Sequence, residues 1–534
     1  MKIKRHLLGK ALGGTALALA AFLHSSPGMA APEGTLTVVV PNFGREMLDL
    51  GKTSTQDLQY TGHTNEPLIG TAPDGQLAAE RGLAQSWTMA DDARHFTIIL
   101  RQGVKWHDGK PFTADDVVFS LGERYVAKDA ICTFCRLLQA VDSVTAKDEH
   151  TVEIVLKEPD PSFLAVLSAR DGDIRMLPRH NFKAVEGGFE MVGDPVGTGP
   201  WKFEAFNRGV DMVLKANTDY WDASRIPDFD TMRLIPRSQA STRLSMVRAG
   251  EADMAFVDPR QVIDARAANL QVLTNRGSSK GGLSFYGCWQ EQMLCHQQAF
   301  REALVRAIDM GAIVKSIYPE GTAERLATAY WTEGSLGFDP ALKPYEYDPK
   351  RAAELLRQIG YKGTPVKLWS VRTNAMPEAP EIMDLIDGYL RASGFKTEVT
   401  PMEFGAFRPR YASNPQRWET NYAAHLYLDA GAPRPTVMPA LRVGVISQKI
   451  GGLIQGYWNL PKIDAQWEKL IKLTSLQELD AGLKELNHEL YEEFNSYPVA
   501  LRYEVAVAGP RVKSWSPSAF GLAWHLETVK KNVQ

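Results

Sequence analysis

Two periodicities alternate along this chain without a break, and that alternation decides its fold class. Phe300, Leu304, Ala307, Ile308 and Ile313 recur at helical spacing. Asp348–Pro349 then supplies an N-cap followed by proline at the first helical position, and the helix it opens stops at Gly360. Val366-Lys367-Leu368 reads as a strand. Ile382, Leu385, Ile386 and Tyr389 share one face of the next helix, which ends near Gly394 and leads into a strand over Thr397 to Thr400. Helix followed by strand, twice over, implies an α/β lobe. At 534 residues the chain is too long for one core and long enough for two or three. No internal repeat, Gly/Ser linker or low-complexity run divides it, so the lobes are expected to share connecting strands.

The first half has a different texture. Thr35 to Val40 reads as a buried strand ended by Pro41, and Phe96, Ile98 and Leu100 alternate with polar neighbours as a half-exposed strand does. Asp108-Gly109 is a favoured two-residue turn, because both positions tolerate positive φ, and it lies between Val104-Lys105-Trp106 and Pro111-Phe112. Thr113, followed three residues later by Asp116, caps a helix carrying Val117, Val118 and Leu121. With the alternating Val152, Ile154 and Leu156, these elements make a small α+β unit between about residues 71 and 190. Short strands follow around Trp201–Phe203 and Met212–Leu214, then a helix with Leu244, Val247 and Ala249 that closes at Gly250.

The N-terminus reads as an address rather than as structure. Lys2, Lys4, Arg5 and Lys10 precede an apolar stretch from Ala11 to Leu23 and small residues at Gly28-Met29-Ala30-Ala31, the layout of a cleavable secretory signal. The stretch is short of the ~20 residues a membrane-spanning helix needs. Cleavage is expected after Ala30, or at Ala31. With no Cys near that junction, lipid attachment is chemically unavailable and a soluble, periplasmic product is expected. Cleavage removes four of the 60 basic and none of the 63 acidic side chains, taking the formal charge from −3 to −7. That mild acidity argues against nucleic acid as a partner.

The four cysteines form two close pairs, Cys132–Cys135 and Cys288–Cys295, and an oxidising compartment favours local disulfides. A Cys-x-x-Cys pair is redox-active when it opens a helix after a strand; here it follows a helix, so two structural staples are expected. His107 beside Asp108 resembles an acid/base pair, but neighbours in a turn seldom point together, and solvated turn residues are the expectation. Gly197-Thr198-Gly199-Pro200 lacks the Gly-Lys-Ser/Thr ending of a nucleotide loop and reads as a tight turn. Gly-x-Ser-x-Gly, His-Glu-x-x-His and Gly-x-Gly-x-x-Gly are all missing, so the chain is expected not to be an enzyme and to hold no metal or cofactor. A periplasmic hydrolase or redox enzyme and a peptide-holding chaperone are the different-class alternatives.

One long stretch is distinctive. Leu83-Ala84-Gln85-Ser86-Trp87, Phe96 to Arg101, Gly103 to Gly109 and Pro111 to Phe119 together resemble the signature of the dipeptide, oligopeptide and nickel family of solute-binding proteins, family 5. The resemblance continues through Pro195–Trp201, Asn217–Trp221, Ala249–Asp253, Arg301–Leu304, Ala307–Asp309 and Tyr347–Pro349. It implies a two-lobed α/β fold of the periplasmic binding protein type 2 kind, with an extra α+β subdomain inserted in lobe I and two strands crossing between lobes. The crossings are expected near Leu283–Tyr286 and Tyr497–Leu501. Lobe I is then 31–282, with the extra subdomain at 71–190, and returns at 499–534; lobe II is 283–498. The resemblance implies a monomer that closes around a peptide or peptide-like ligand by hinge bending and delivers it to an inner-membrane permease with a separate ATPase.

Cleft sites combine apolar walls with a few oriented polar groups, so aromatic and charged residues at element ends are the ligand candidates. In lobe II these are Trp369 and Arg372, just beyond the strand at 366–368, where Arg372 would clamp a carboxylate or a phosphate. Peptide-binding relatives place an acidic residue in an Asp-Tyr-x-Asp-Pro-like run, where it pairs with the ligand's α-ammonium. The similar segment here is His425 to Pro433, offering Asp429, but the second Asp-Pro is missing and Arg434 and Arg442 follow. This departure leaves open an anionic amino conjugate, with a metal chelate as a further alternative. Phe43 in lobe I, Arg434, and Tyr457-Trp458 in lobe II complete the candidates.

Overall fold

The computed structural model describes residues 31–532 except 73–74, 133, 374, 413–417, 435, 453–459 and 518–522. The expected secretory signal therefore lies outside the described residues. Among those described, no helix is long and apolar enough to cross a membrane.

One 11-stranded sheet, counted among the described residues, organises the chain. From one edge its main path runs Thr397–Met402, Val366–Val371, Ala424–Gly431, Gln271–Tyr286, Ser496–Ala508, Met254–Val257, Thr35–Val40, Thr231–Pro236, Asp211–Ala216 and Trp201–Asn207. Two members are far longer than the rest. Gln271–Tyr286 and Ser496–Ala508 pair with each other antiparallel along their length, Gln271 facing Ala508 at one end and Ser284 facing Ser496 at the other. At the first end Ser496–Ala508 also pairs with Met254–Val257; at the second, Gln271–Tyr286 pairs with Ala424–Gly431. The register breaks between Asn275 and Ser279, where Gly277 takes φ of 96°, a backbone conformation that glycine adopts without a Cβ penalty. Two half-sheets thus share a pair of strands whose register shifts there and again between Gly281 and Gly282. Leu283–Tyr286 and Tyr497–Leu501 both lie on the second-half side of the first shift.

Each half-sheet buries both faces, which explains its near-continuous apolar strands. Leu36, Val38 and Val40 point into one core with Trp201, Met232 and Phe256, while Val39 joins Leu244, Val247 and Val505 on the other side. In the second half, Leu283, Phe285, Leu368, Leu426 and Leu428 pack under the helices Gln298–Arg306, Pro349–Gln358 and Ala379–Ala392. Asp348 caps the middle helix by accepting from the Arg351 amide at 2.9 Å, and Gly360 ends it at φ of 66°.

A separate antiparallel sheet of Ala84–Met89, His95–Leu100, Thr151–Leu156 and Val141–Asp148 forms the centre of the α+β insertion. The Asp108-Gly109 turn forms, with Gly109 at φ of 89°. Asp116 accepts from the Thr113 amide and from the Trp106 indole, both at 3.0 Å, tying the turn to the helix that follows. His107 departs from the solvated role expected of it. Its Nε2 lies 2.9 Å from the Gly199 carbonyl and its Nδ1 accepts from the Gly197 amide at 3.2 Å, and burial holds it neutral, its pKa lowered to about 4. The partner is about ninety residues away, so the turn is braced by the Gly197–Pro200 loop rather than by water. That loop needs its glycine: a Cβ on Gly197 would meet the Thr64 carbonyl oxygen at 1.8 Å. The cysteines are joined as Cys132–Cys135 and Cys288–Cys295, with Cα separations of 5.3 and 5.0 Å.

Candidate functional site

A cavity of about 330 Å³ opens where the insertion meets the second half-sheet. The long strand Gln271–Tyr286 sends Lys280, Gly282 and Ser284 to it on alternate positions, and the neighbouring strand adds Asp429, which stands opposite Gly282 in register. Residues paired directly across an antiparallel ladder share a face, so Lys280 and Asp429 are diagonal neighbours on one wall. Tyr330 and Arg434 complete this side, and Arg136 reaches in from the insertion.

Basic side chains dominate the electrostatics of the cavity, with Lys280 and Arg434 half-buried and Arg136 exposed. The Lys280 ammonium donates to the Tyr330 carbonyl. Burial, reinforced by Arg434, lowers its pKa to about 7, while Asp429 works in the opposite direction. Burial also lowers the pKa of Arg434, against the attraction of Asp171. Asp171, 6% exposed, has neither carboxylate oxygen hydrogen-bonded among the described residues, and desolvation pushes it up to about 7 despite Arg434.

Several contacts span the two halves. The Arg434 guanidinium stacks over the Phe134 ring, 4.9 Å from its centroid. Phe134 belongs to the loop stapled by Cys132–Cys135, which also carries Arg136. Arg170 donates to the Gly334 carbonyl at 2.5 Å, Arg266 donates to the Glu320 carbonyl at 3.2 Å, and Arg260 pairs with Glu381. A larger groove of about 600 Å³ lies on the insertion itself, around residues 118–144, and shares only Arg136 with the cavity. Its walls come from one half alone, so hinge closure would not bury it.

The candidates read from sequence separate into three groups. Asp429 and Arg434 line the cavity together. Trp369 does not: the strand continues to Val371, and the indole, 3% exposed, packs among Tyr286, Phe407, Trp418 and Tyr427. Its Nε1 donates to His425 Nδ1 at 3.3 Å, and burial lowers the pKa of that imidazole to about 4. Phe43 is likewise a core residue, 3% exposed, with ring centroids 5.1 Å from Tyr60 and 5.4 Å from Phe206. Arg372 is exposed just past its strand and is not among the cavity-lining residues. Tyr457 and Trp458 lie outside the described residues. Sequence reasoning missed Lys280, Arg136, Tyr330 and Asp171. Of these, only Lys280 carried a local signal, a charge directly before Gly281-Gly282 and the apolar run that follows.

Two half-sheets that share a strand pair, with a charged cavity between the second of them and the insertion, define a two-lobed binding protein. Residues 78–433 match the model of the bacterial extracellular solute-binding proteins, family 5 (middle region), and the chain belongs to that family. It is 27% identical over 478 residues to heme-binding protein A of Haemophilus influenzae, covering 84% of this chain and 83% of the relative. It is 28% identical over 395 residues to the glutathione-binding protein GsiB of Salmonella typhi, covering 73% of each. Among solved structures, NikA from Brucella suis in complex with Fe(III)-EDTA superposes with a TM-score of 0.78 at 21% identity, over 94% of this chain and all of that one. This last likeness shows the shared fold.

Proposed function

We propose that this chain is the periplasmic receptor of an ATP-driven importer, binding a compact, peptide-like small molecule that carries carboxylates. It hands the molecule to a membrane permease driven by a separate ATPase. The carrying observation is the cavity between the halves, where Asp429 faces Lys280, Arg434 and Arg136. At about 330 Å³ it sits at the small end of the ~300–1,000 Å³ range of small-molecule sites, which favours a peptide-sized ligand. The name of the glutathione-binding relative supports the same class, a short peptide with more carboxylates than ammonium groups. In this reading the lobes hinge at the register break near Gly277, residues 1–30 are removed on export, the receptor acts as a monomer, and the ligand leaves chemically unchanged.

Native mass spectrometry of protein expressed with its first 30 residues and recovered from a periplasm tests the proposal. The expected result is a chain beginning at Ala31 or Pro32 and a single bound, carboxylate-bearing metabolite released intact by denaturation. Recovery of a turned-over product, or of haem or a metal chelate in its place, would overturn it.

A further inference from the structure

We propose that Lys280 is a built-in counter-ion for Asp429, so that the site selects its ligand by carboxylates and does not require a free ammonium group. The inference rests on the reading of the cavity as the ligand site.

The geometry carries the argument. Lys280 faces Gly431 and Asp429 faces Gly282 in the ladder between Gln271–Tyr286 and Ala424–Gly431, which puts the two charged side chains on the same face of adjacent strands. Lysines usually extend their ammonium to water. Here the Tyr330 carbonyl holds it inside, with Nζ 5.9 Å from the centroid of the Tyr330 ring. The ammonium is thereby held on the same cavity wall as the Asp429 carboxylate.

The surrounding charges point the same way. Arg434 enters from the segment after the Asp429 strand and Arg136 from the insertion, and the buried Asp171, outside the lining, attracts Arg434. Among the lining residues three basic side chains, Lys280, Arg434 and Arg136, thus accompany one carboxylate, Asp429. A ligand ammonium placed against Asp429 would meet Lys280 and Arg434 as like charges, whereas a ligand carboxylate meets two guanidinium groups suited to bidentate pairing. Asp429 is also the group that opposes the loss of charge on Lys280, as expected of a resident partner.

Titration calorimetry with four probes tests this: glutathione, N-acetylglutathione, glutathione esterified at both carboxylates, and dialanine. With the natural chain, capping the amine is expected to change Kd less than threefold, and esterification to weaken binding at least thirtyfold. Dialanine is expected to bind more weakly than N-acetylglutathione. Lys280→Met removes the cation from this wall and is expected to favour glutathione over N-acetylglutathione by tenfold or more, while Lys280→Arg keeps the natural ratio. A natural chain that loses tenfold or more on acetylation, or that prefers dialanine, overturns the inference and leaves the proposed function standing. No binding of any probe removes the peptide-like reading and this inference together. The measurements on the natural chain decide the matter even where a variant folds poorly.

Discussion

Replacing Phe134 by Leu removes an aromatic face from the contact between the lobes without touching the charges of the cavity. The Arg434 guanidinium sits 4.9 Å from the Phe134 centroid, and the ring is 5% exposed, so the pair is largely desolvated and worth about 1–2 kcal/mol. Leucine keeps the site apolar, and its cost to the insertion core is under about 1.5 kcal/mol. The contact joins the two halves, so its energy belongs to the closed state. Losing it shifts the open–closed ratio by about 5- to 30-fold and weakens ligand binding by the same factor where the open state dominates. All four cysteines are paired, so thiols introduced at the exposed Arg208 and Lys484 take spin labels selectively. Distance distributions between these labels in the ligand-free Phe134→Leu protein are expected to move toward the longer, open population. Arg434→Met should do the same, and the double variant should show a coupling of about 1–2 kcal/mol in a double-mutant cycle. Purely additive effects, or a Phe134→Leu protein with unchanged distances and unchanged affinity, would refute the reasoning.

Two further outcomes follow from buried side chains. His63 is 1% exposed, neither ring nitrogen has a partner among the described residues, and desolvation lowers its pKa from an ordinary 6.5 to about 3. The unfolded chain takes the proton first, so stability is lost as pH falls from about 6.5 toward 3, by up to roughly 5 kcal/mol at ~1.4 kcal/mol per unit. Urea midpoints measured against pH are expected to fall less steeply for His63→Gln than for the natural chain, and parallel curves would sink the assignment. Trp369→Ala empties the centre of the cluster with Phe407, Trp418 and Tyr427, and is expected to cost about 3–5 kcal/mol in thermal unfolding while leaving Kd within threefold. A larger loss of affinity in the folded variant would return Trp369 to the ligand site.

The elements legible in the sequence were those with local causes. Asp348-Pro349 announces a helix start because its cap and its proline act within one turn, and Asp108-Gly109 announces a turn because glycine supplies the positive φ it needs. Trp369 was misplaced for an equally physical reason. Val366–Val371 is paired in parallel on both sides and buried along its whole length, so no polar alternation marks where the strand stops. The Trp was therefore read as lying past its end. His107 failed differently: its partners, Gly197 and Gly199, are brought to it by the fold and leave no mark within several residues of it.

The cavity is an extreme case of that second failure. Arg136, Lys280, Tyr330, Asp429 and Arg434 come from four separate segments, brought together only where the insertion meets the second half-sheet. The stretch that most resembles the family, Trp106 to Phe119, holds a turn, a buried indole and a capped helix in place and contributes nothing to the lining. Scaffold positions answer to neighbours a few residues away, so they are readable one by one. Cavity positions answer to the ligand and to each other across hundreds of residues. A shared scaffold can therefore present different charge sets, and Lys280 beside Asp429 shows where such a difference enters: one residue on a crossing strand decides whether an acidic wall meets a ligand's ammonium or is already neutralised.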